Sequence, residues 1–220
     1  MKLRISIIIL LFFLPKTNAQ DIDARSSFIY TGITMNIPKK HKLTIYSGIS
    51  PTDNVYMLRV LPAFKVNQYL TLTSGFTYYD LYDDEKFLDK VEYHIMPMAT
   101  LTFPISKNKK WSITDRNMFF YKIRSYSTNV PFYRNRLGVT YKTSILKQPV
   151  SFFVYDEIYF NFDNKNISRN QATIGAQLNL KWLTPQIMYT HQTEQGKKNK
   201  GIYSLSLLIP LENFGFFNSK

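Results

Sequence analysis

The stretch FYRNRLGVTYK, residues 132–142, sets Arg134, Arg136 and Lys142 on one parity and Tyr133, Leu137, Val139 and Tyr141 on the other. Side chains alternate between the two faces of a β-strand, so this segment reads as a strand with one cationic face and one apolar face. The same split recurs along the chain. In 69–81, Leu70, Leu72, Phe76 and Tyr78 oppose Thr71, Thr73, Gly75 and Thr77; in 170–181, Ala172, Ile174, Ala176, Leu178 and Leu180 oppose Gln171, Thr173, Gln177, Asn179 and Lys181. Turn signals mark about eleven such segments. They fall near 24–37, 42–50, 55–66, 69–81, 91–103, 111–124, 132–143, 150–162, 170–181, 184–193 and 202–211.

Composition agrees with an all-β chain. Apolar residues make up 45% of the 220, aromatic residues 16%, and flat rings pack well on pleated sheet. Mean hydropathy is only −0.22, which excludes a bundle of apolar membrane helices.

The first residues set the compartment. Lys2 and Arg4 precede the apolar run ISIIILLFFL, and PKTNA follows with Thr17 and Ala19 at signal-peptidase positions, so residues 1–19 read as a leader cleaved after Ala19. The run is too short for a membrane helix, which needs roughly 20 residues. With no cysteine in the chain, the exported domain, residues 20–220, is held by sheet hydrogen bonds and packing without disulfides. The formal charge of +13 falls, with Lys2, Arg4 and Lys16 removed, to +10. Export and the scatter of the positive residues along strands argue against a nucleic-acid partner.

Alternation alone does not say what the apolar face touches. A soluble sandwich hides it and a membrane barrel turns it to lipid. Strand length decides for the barrel, because most segments supply the roughly 9 to 11 residues a crossing strand needs. Rings near segment ends, such as Tyr93 and Phe103 or Trp111 and Tyr121, suit the two headgroup levels. The expected fold is therefore one antiparallel up-and-down transmembrane β-barrel of about 10 to 12 strands. Connectors are expected to be tight at one end and looser at the other. About eleven strands conflicts with the even count of bacterial barrels, so one strand is expected to be miscounted, with 21–50 the weakest division. Asp115, Asn117 and Asp156 fall on the apolar parity, which a local bulge or a position near the interface would explain.

With lipid on the apolar side, Arg59, Arg116, Lys122, Arg124, Arg134, Arg136 and Lys142 line the lumen, and Glu92 and Glu157 share that face. Turning one such cation to lipid at the midplane would cost roughly 2 to 4 kcal/mol, which fixes the register. Glu157, with Glu92, is expected to pair with Arg134, Arg136 or Arg116 and brace the wall. The surplus of cations would make the lumen electropositive, as in anion pores.

At RNRLGVTY (134–141), YDEIYFN (155–161) and SRNQATIGAQL (168–178), the chain resembles an uncharacterised family of small bacterial outer-membrane β-barrels. In that family an arginine-rich strand precedes one with an aromatic-x-Glu-x-aromatic core, matched here by Arg134, Arg136, Tyr155, Glu157 and Tyr159. Where the family often has a second arginine in the preceding strand, this chain has Met118 after Arg116. The resemblance implies a fold and an outer-membrane location and supplies no activity.

The expected function is a narrow, weakly anion-preferring channel or a structural barrel, with no cofactor, no metal site and no catalytic residue. Its expected surroundings are outer-membrane lipid and lipopolysaccharide, with the barrel-assembly machinery during biogenesis and an unidentified solute. Two alternatives stand beside it: a lipid-modifying outer-membrane enzyme and a secreted soluble β-sandwich binding protein. For the enzyme, His94 falls on the lumen parity, His41 in a turn and His191 on the apolar parity. None has a nucleophile and acid at recognisable spacing, and G-x-S-x-G is absent.

Overall fold

The computed structural model describes residues 24–37, 41–83 and 88–214. The leader expected over residues 1–19 lies outside them. Eleven strands form one sheet that closes on itself. They are β1 (Ala24–Ile37), β2 (His41–Ser50), β3 (Val55–Lys65), β4 (Leu70–Asp83), β5 (Leu88–Pro104) and β6 (Trp111–Arg124). The remainder are β7 (Val130–Ile145), β8 (Gln148–Asn161), β9 (Asn166–Leu178), β10 (Thr184–Glu194) and β11 (Lys200–Pro210), before a 3-10 turn at Leu211–Phe214. Every sequence-derived segment falls on one of these strands. A two-sheet sandwich is excluded.

Large apolar side chains cover the outer face, where Ile95, Leu137 and Ile174 are 48%, 55% and 58% exposed. The inner face buries Thr77, Glu157 and Thr173. An outer wall of this kind is stable only against hydrocarbon, and a closed sheet satisfies its backbone there without edges. The chain is a transmembrane β-barrel.

No strand was miscounted among the described residues. Each strand pairs antiparallel with its chain neighbours, and the ring closes through a parallel pair, β1 with β11, running from Ala24↔Lys200 to Thr34↔Pro210. An up-and-down ring with an odd count must contain one such pair, because its first and last strands point the same way. Connectors 51–54, 125–129, 162–165 and 195–199 share the rim where β1 begins, here the N-rim. Connectors 66–69, 105–110, 146–147 and 179–183 share the rim where β11 ends, the C-rim. Among the described connectors neither rim has the longer loops expected of one end; the backbone turns within a few residues at both.

The bulge expected at Asp115, Asn117 and Asp156 is overturned. Pairing runs unbroken through all three, and the register shift of this wall lies between Tyr159 and Phe160. These side chains do face outward, and neighbours satisfy them. Asn117 and Asn135 donate to the Asp115 carboxylate at 3.0 and 2.7 Å, the Tyr133 hydroxyl donates to Asn117, and Asn170 donates to Asp156 at 2.9 Å. Internal hydrogen bonds remove most of the penalty that an unpartnered polar group meets in an apolar medium.

Parallel pairing is slightly weaker per residue than antiparallel, and the seam has a side-chain lock at the N-rim. Asp53, in the turn between β2 and β3, accepts from Ser26 of β1, from Ser50 of β2 at 3.0 Å and from Lys200 of β11 at 2.8 Å. The Ser27 amide donates to Thr52 at 2.9 Å. Burial pushes the Asp53 carboxyl up, but the Lys200 ammonium and the two hydroxyls outweigh it and hold the group below its ordinary value. A depressed carboxyl contributes stability above its unfolded value and loses it as pH falls through the folded one. Asp53→Asn is expected to lower the temperature at which the barrel loses its compact, unboiled gel mobility at pH 7. That deficit should begin to shrink as pH falls below the carboxyl's ordinary value of about 4 and go once the folded group, held lower, is protonated too; a deficit unchanged by acid would contradict the lock.

Candidate functional site

The centre of the lumen is built by one row of paired residues, Arg116 of β6, Arg136 of β7, Glu157 of β8 and Gln171 of β9. Placing Arg116 directly opposite Arg136 is repulsive by itself. Glu157, 1% exposed, resolves it. Its carboxylate accepts from Arg116 at 2.8 Å and from Arg134 and Arg136. Three guanidinium groups therefore converge on one acid. Each has about five N–H donors against about four lone-pair sites on a carboxylate. Positive charge and donor capacity remain, and the Nε atoms of Arg116 and Arg134 have no protein acceptor.

Aromatic rings hold the guanidinium groups flat. Arg136 lies 3.8 Å from the centroid of Tyr155, and Arg134 and Arg169 lie 4.8 and 5.2 Å from that of Tyr159. Cation–π contact favours such stacking on desolvated rings. Gly138 makes the first stack fit, because a Cβ there would come within 2.7 Å of the Tyr155 Cβ across the strand pair.

Arg59 is held differently. It donates to Thr77 at 2.7 Å, Tyr46 at 3.0 Å and Tyr79 at 2.7 Å, all neutral oxygens. Its charge has no acidic hydrogen-bond partner among the described residues.

Glu92 is not part of the arginine cluster, contrary to the pairing expected for it. It sits toward the N-rim, where it meets His94 at 2.8 Å and Lys122 at 4.0 Å and accepts from the Tyr126 hydroxyl. Strand offset explains this: Glu92 pairs with Arg124, eight residues along β6 from Arg116. Arg124 reaches the Thr128 carbonyl in the rim connector. Lys142 is exposed near the C-rim, away from the central cluster. His41 opens β2 instead of lying in a turn, and its Nδ1 accepts from the Lys65 amide at 3.2 Å.

Sequence reasoning missed several lumen residues. Arg169 pairs with Glu194 at 2.7 Å, and Lys197 meets the same acid at 2.6 Å. The i±2 step from Gln171 and Gln192 places Arg169 and Glu194 on the inner face, so parity could have found both. Methionines are the other omission. Met96, Met98 and Met118 pack with Phe120 and Tyr159 into an internal apolar cluster beside the arginines.

The space left is a cavity of about 970 Å³. Its lining runs from Asp53 and Lys200 at the N-rim, past Arg59, Arg116 and Arg136, to Gln186 and Leu208 near the C-rim. A second cavity of about 460 Å³ lies under Tyr126, lined by Glu92, His94 and Lys122. Among the described residues no three histidine or carboxylate groups come together as a metal site would require.

A family model described as "Protein of unknown function (DUF2490)" matches residues 48–202, most of the barrel and all of the arginine–glutamate row. The chain belongs to the DUF2490 family. No curated protein matches it. Among solved structures it is similar to the NanC porin in a rhombohedral crystal form, with a TM-score of 0.51 and 14% identity, over 80% of this chain and 92% of that one. At that identity the likeness is one of fold.

Breaking a buried ion pair costs about 3 to 5 kcal/mol, because the stranded charges stay desolvated. Glu157→Gln, which keeps the side chain's shape, should therefore lower the urea midpoint of the barrel sharply. Adding Arg136→Gln should recover part of the loss, since one fewer cation is then uncompensated. A single variant as stable as wild type would show that the carboxylate does not hold this cluster together.

Proposed function

We propose that this DUF2490 protein is an outer-membrane barrel whose lumen forms a narrow passive path that prefers small anions. One observation carries the reading: the 970 Å³ cavity runs beside Arg59, Arg116, Arg134 and Arg136, against which Glu157 is the one acid of that central cluster. Fixed positive charge with low-dielectric walls attracts anions and repels cations, as rings of Arg or Lys do in anion pores. The likeness to a structure called a porin points the same way, at the level of fold.

The path is narrow because the internal Met, Phe and Tyr cluster fills the lumen on the β5 to β8 side. Conductance is accordingly small. No catalytic step is part of this reading: His94, the buried histidine of the lumen among the described residues, is engaged by Glu92, which the Tyr126 hydroxyl also holds.

Purified barrel in planar bilayers should show small currents whose reversal potential in a potassium chloride gradient reports chloride over potassium. Arg59→Gln removes a lumen charge without stranding a carboxylate, so it should reduce that preference while gel mobility stays wild-type. Absence of current from folded protein, or a preference for potassium, would refute the channel.

A further inference from the structure

The two rims differ in charge. At the N-rim four cations have acidic partners, Lys200 with Asp53, Lys197 and Arg169 with Glu194, and Lys122 with Glu92, while Arg25, Lys165 and Lys198 are exposed without an ion pair among the described residues. At the C-rim the turns contribute Lys107, Lys109, Lys110, Lys147 and Lys181. Strand ends add Lys42, Lys65 and Lys142. All eight are exposed, and none has an ion pair among the described residues. The one acid at that rim among the described residues is Glu212.

Rings beside these lysines fix their level in the bilayer. Trp111 packs on Tyr141 at 4.6 Å, Tyr69 on Phe103 at 5.3 Å and Trp182 on Phe214 at 4.9 Å. Trp and Tyr settle at the headgroup boundary. The Lys181 ammonium lies 5.3 Å from the Trp182 ring, which is 55% exposed, and Lys110 directly precedes Trp111. The ammonium groups thus begin where the belt ends, at the depth of lipid phosphates.

We infer that the C-rim is a docking surface for the phosphate headgroups of anionic lipids. The occupant follows from charge complementarity and depth together: a ring of unpaired lysines around a membrane cylinder meets phosphates before anything else. Clusters of four to eight lysines at a membrane surface recruit anionic lipid in this way. The N-rim, where four cations are already paired with acids, offers less unpaired positive charge. The inference does not depend on conduction.

The chain's two tryptophans both lie in this belt, so they report directly on the lipid beside it. Barrel is reconstituted in phosphatidylcholine vesicles that contain an equal fraction of either brominated phosphatidylglycerol or brominated phosphatidylcholine, and tryptophan quenching is compared. Phosphatidylglycerol should show about fivefold higher relative association, the equivalent of one lysine–headgroup contact. The preference should fall at high salt and approach parity in Lys107→Gln, Lys109→Asn, Lys110→Gln combined. Asn is chosen at 109 because that residue has φ of 54°, which Asn tolerates. Lys65→Gln with Lys181→Gln provides a second variant from other turns. Equal quenching by the two lipids in wild type overturns the inference, as does a preference that both folded variants retain. Loss of the preference to inorganic phosphate, but not to chloride of equal ionic strength, would overturn the lipid assignment.

Discussion

Hydrocarbon forms no hydrogen bonds, and that constraint organises every strand of this chain. It requires the backbone to close on itself and the outer parity to be apolar, so each cation within a strand is directed to the lumen or the rim. The arginine row follows from this. Arg116, Arg134 and Arg136 have nowhere else to go, and once they share a confined space a single well-placed carboxylate must hold them. Glu157 lies in register with two of them, so the sheet positions it without help from a loop. Tyr155 and Tyr159, two residues to either side on the same face, support the guanidinium planes.

Much of this was legible in the residues. Alternation located the strands, and the parity of Arg134 and Arg136 placed lumen and lipid faces correctly, because a strand's two faces meet opposite solvents. What alternation does not carry is lateral offset between strands. Glu92 shares a face with the arginines yet pairs with Arg124, near the N-rim, a separation fixed by the stagger of β5 on β6. The same limit hid the meeting of Arg169 with Glu194, which lie on neighbouring strands and 25 residues apart in sequence. Asp115 and Asn117 misled for another reason. A parity rule treats each polar outward residue as an error, whereas Asn135 on the next strand completes a hydrogen-bonded group that the wall can tolerate.

The lumen is divided by chemistry. Thioether and ring side chains pack on the β5 to β8 side, and the larger cavity opens between them and the opposite wall, where Gln186, Thr190 and Ser206 are among its lining residues. Methionine suits the packed half because its flexible chain fills irregular gaps that a tapering barrel interior presents. Cations stand at the boundary of the two halves, close enough to low-dielectric packing for their field to reach across the open part. Filling and charge therefore act together, one setting the width of the path and the other its sign.

The parallel seam has a consequence for labelling. Ala24 and Pro210 then emerge on opposite faces of the bilayer. Reporters fused upstream of the one and downstream of the other would sense different compartments, which no barrel of even count permits.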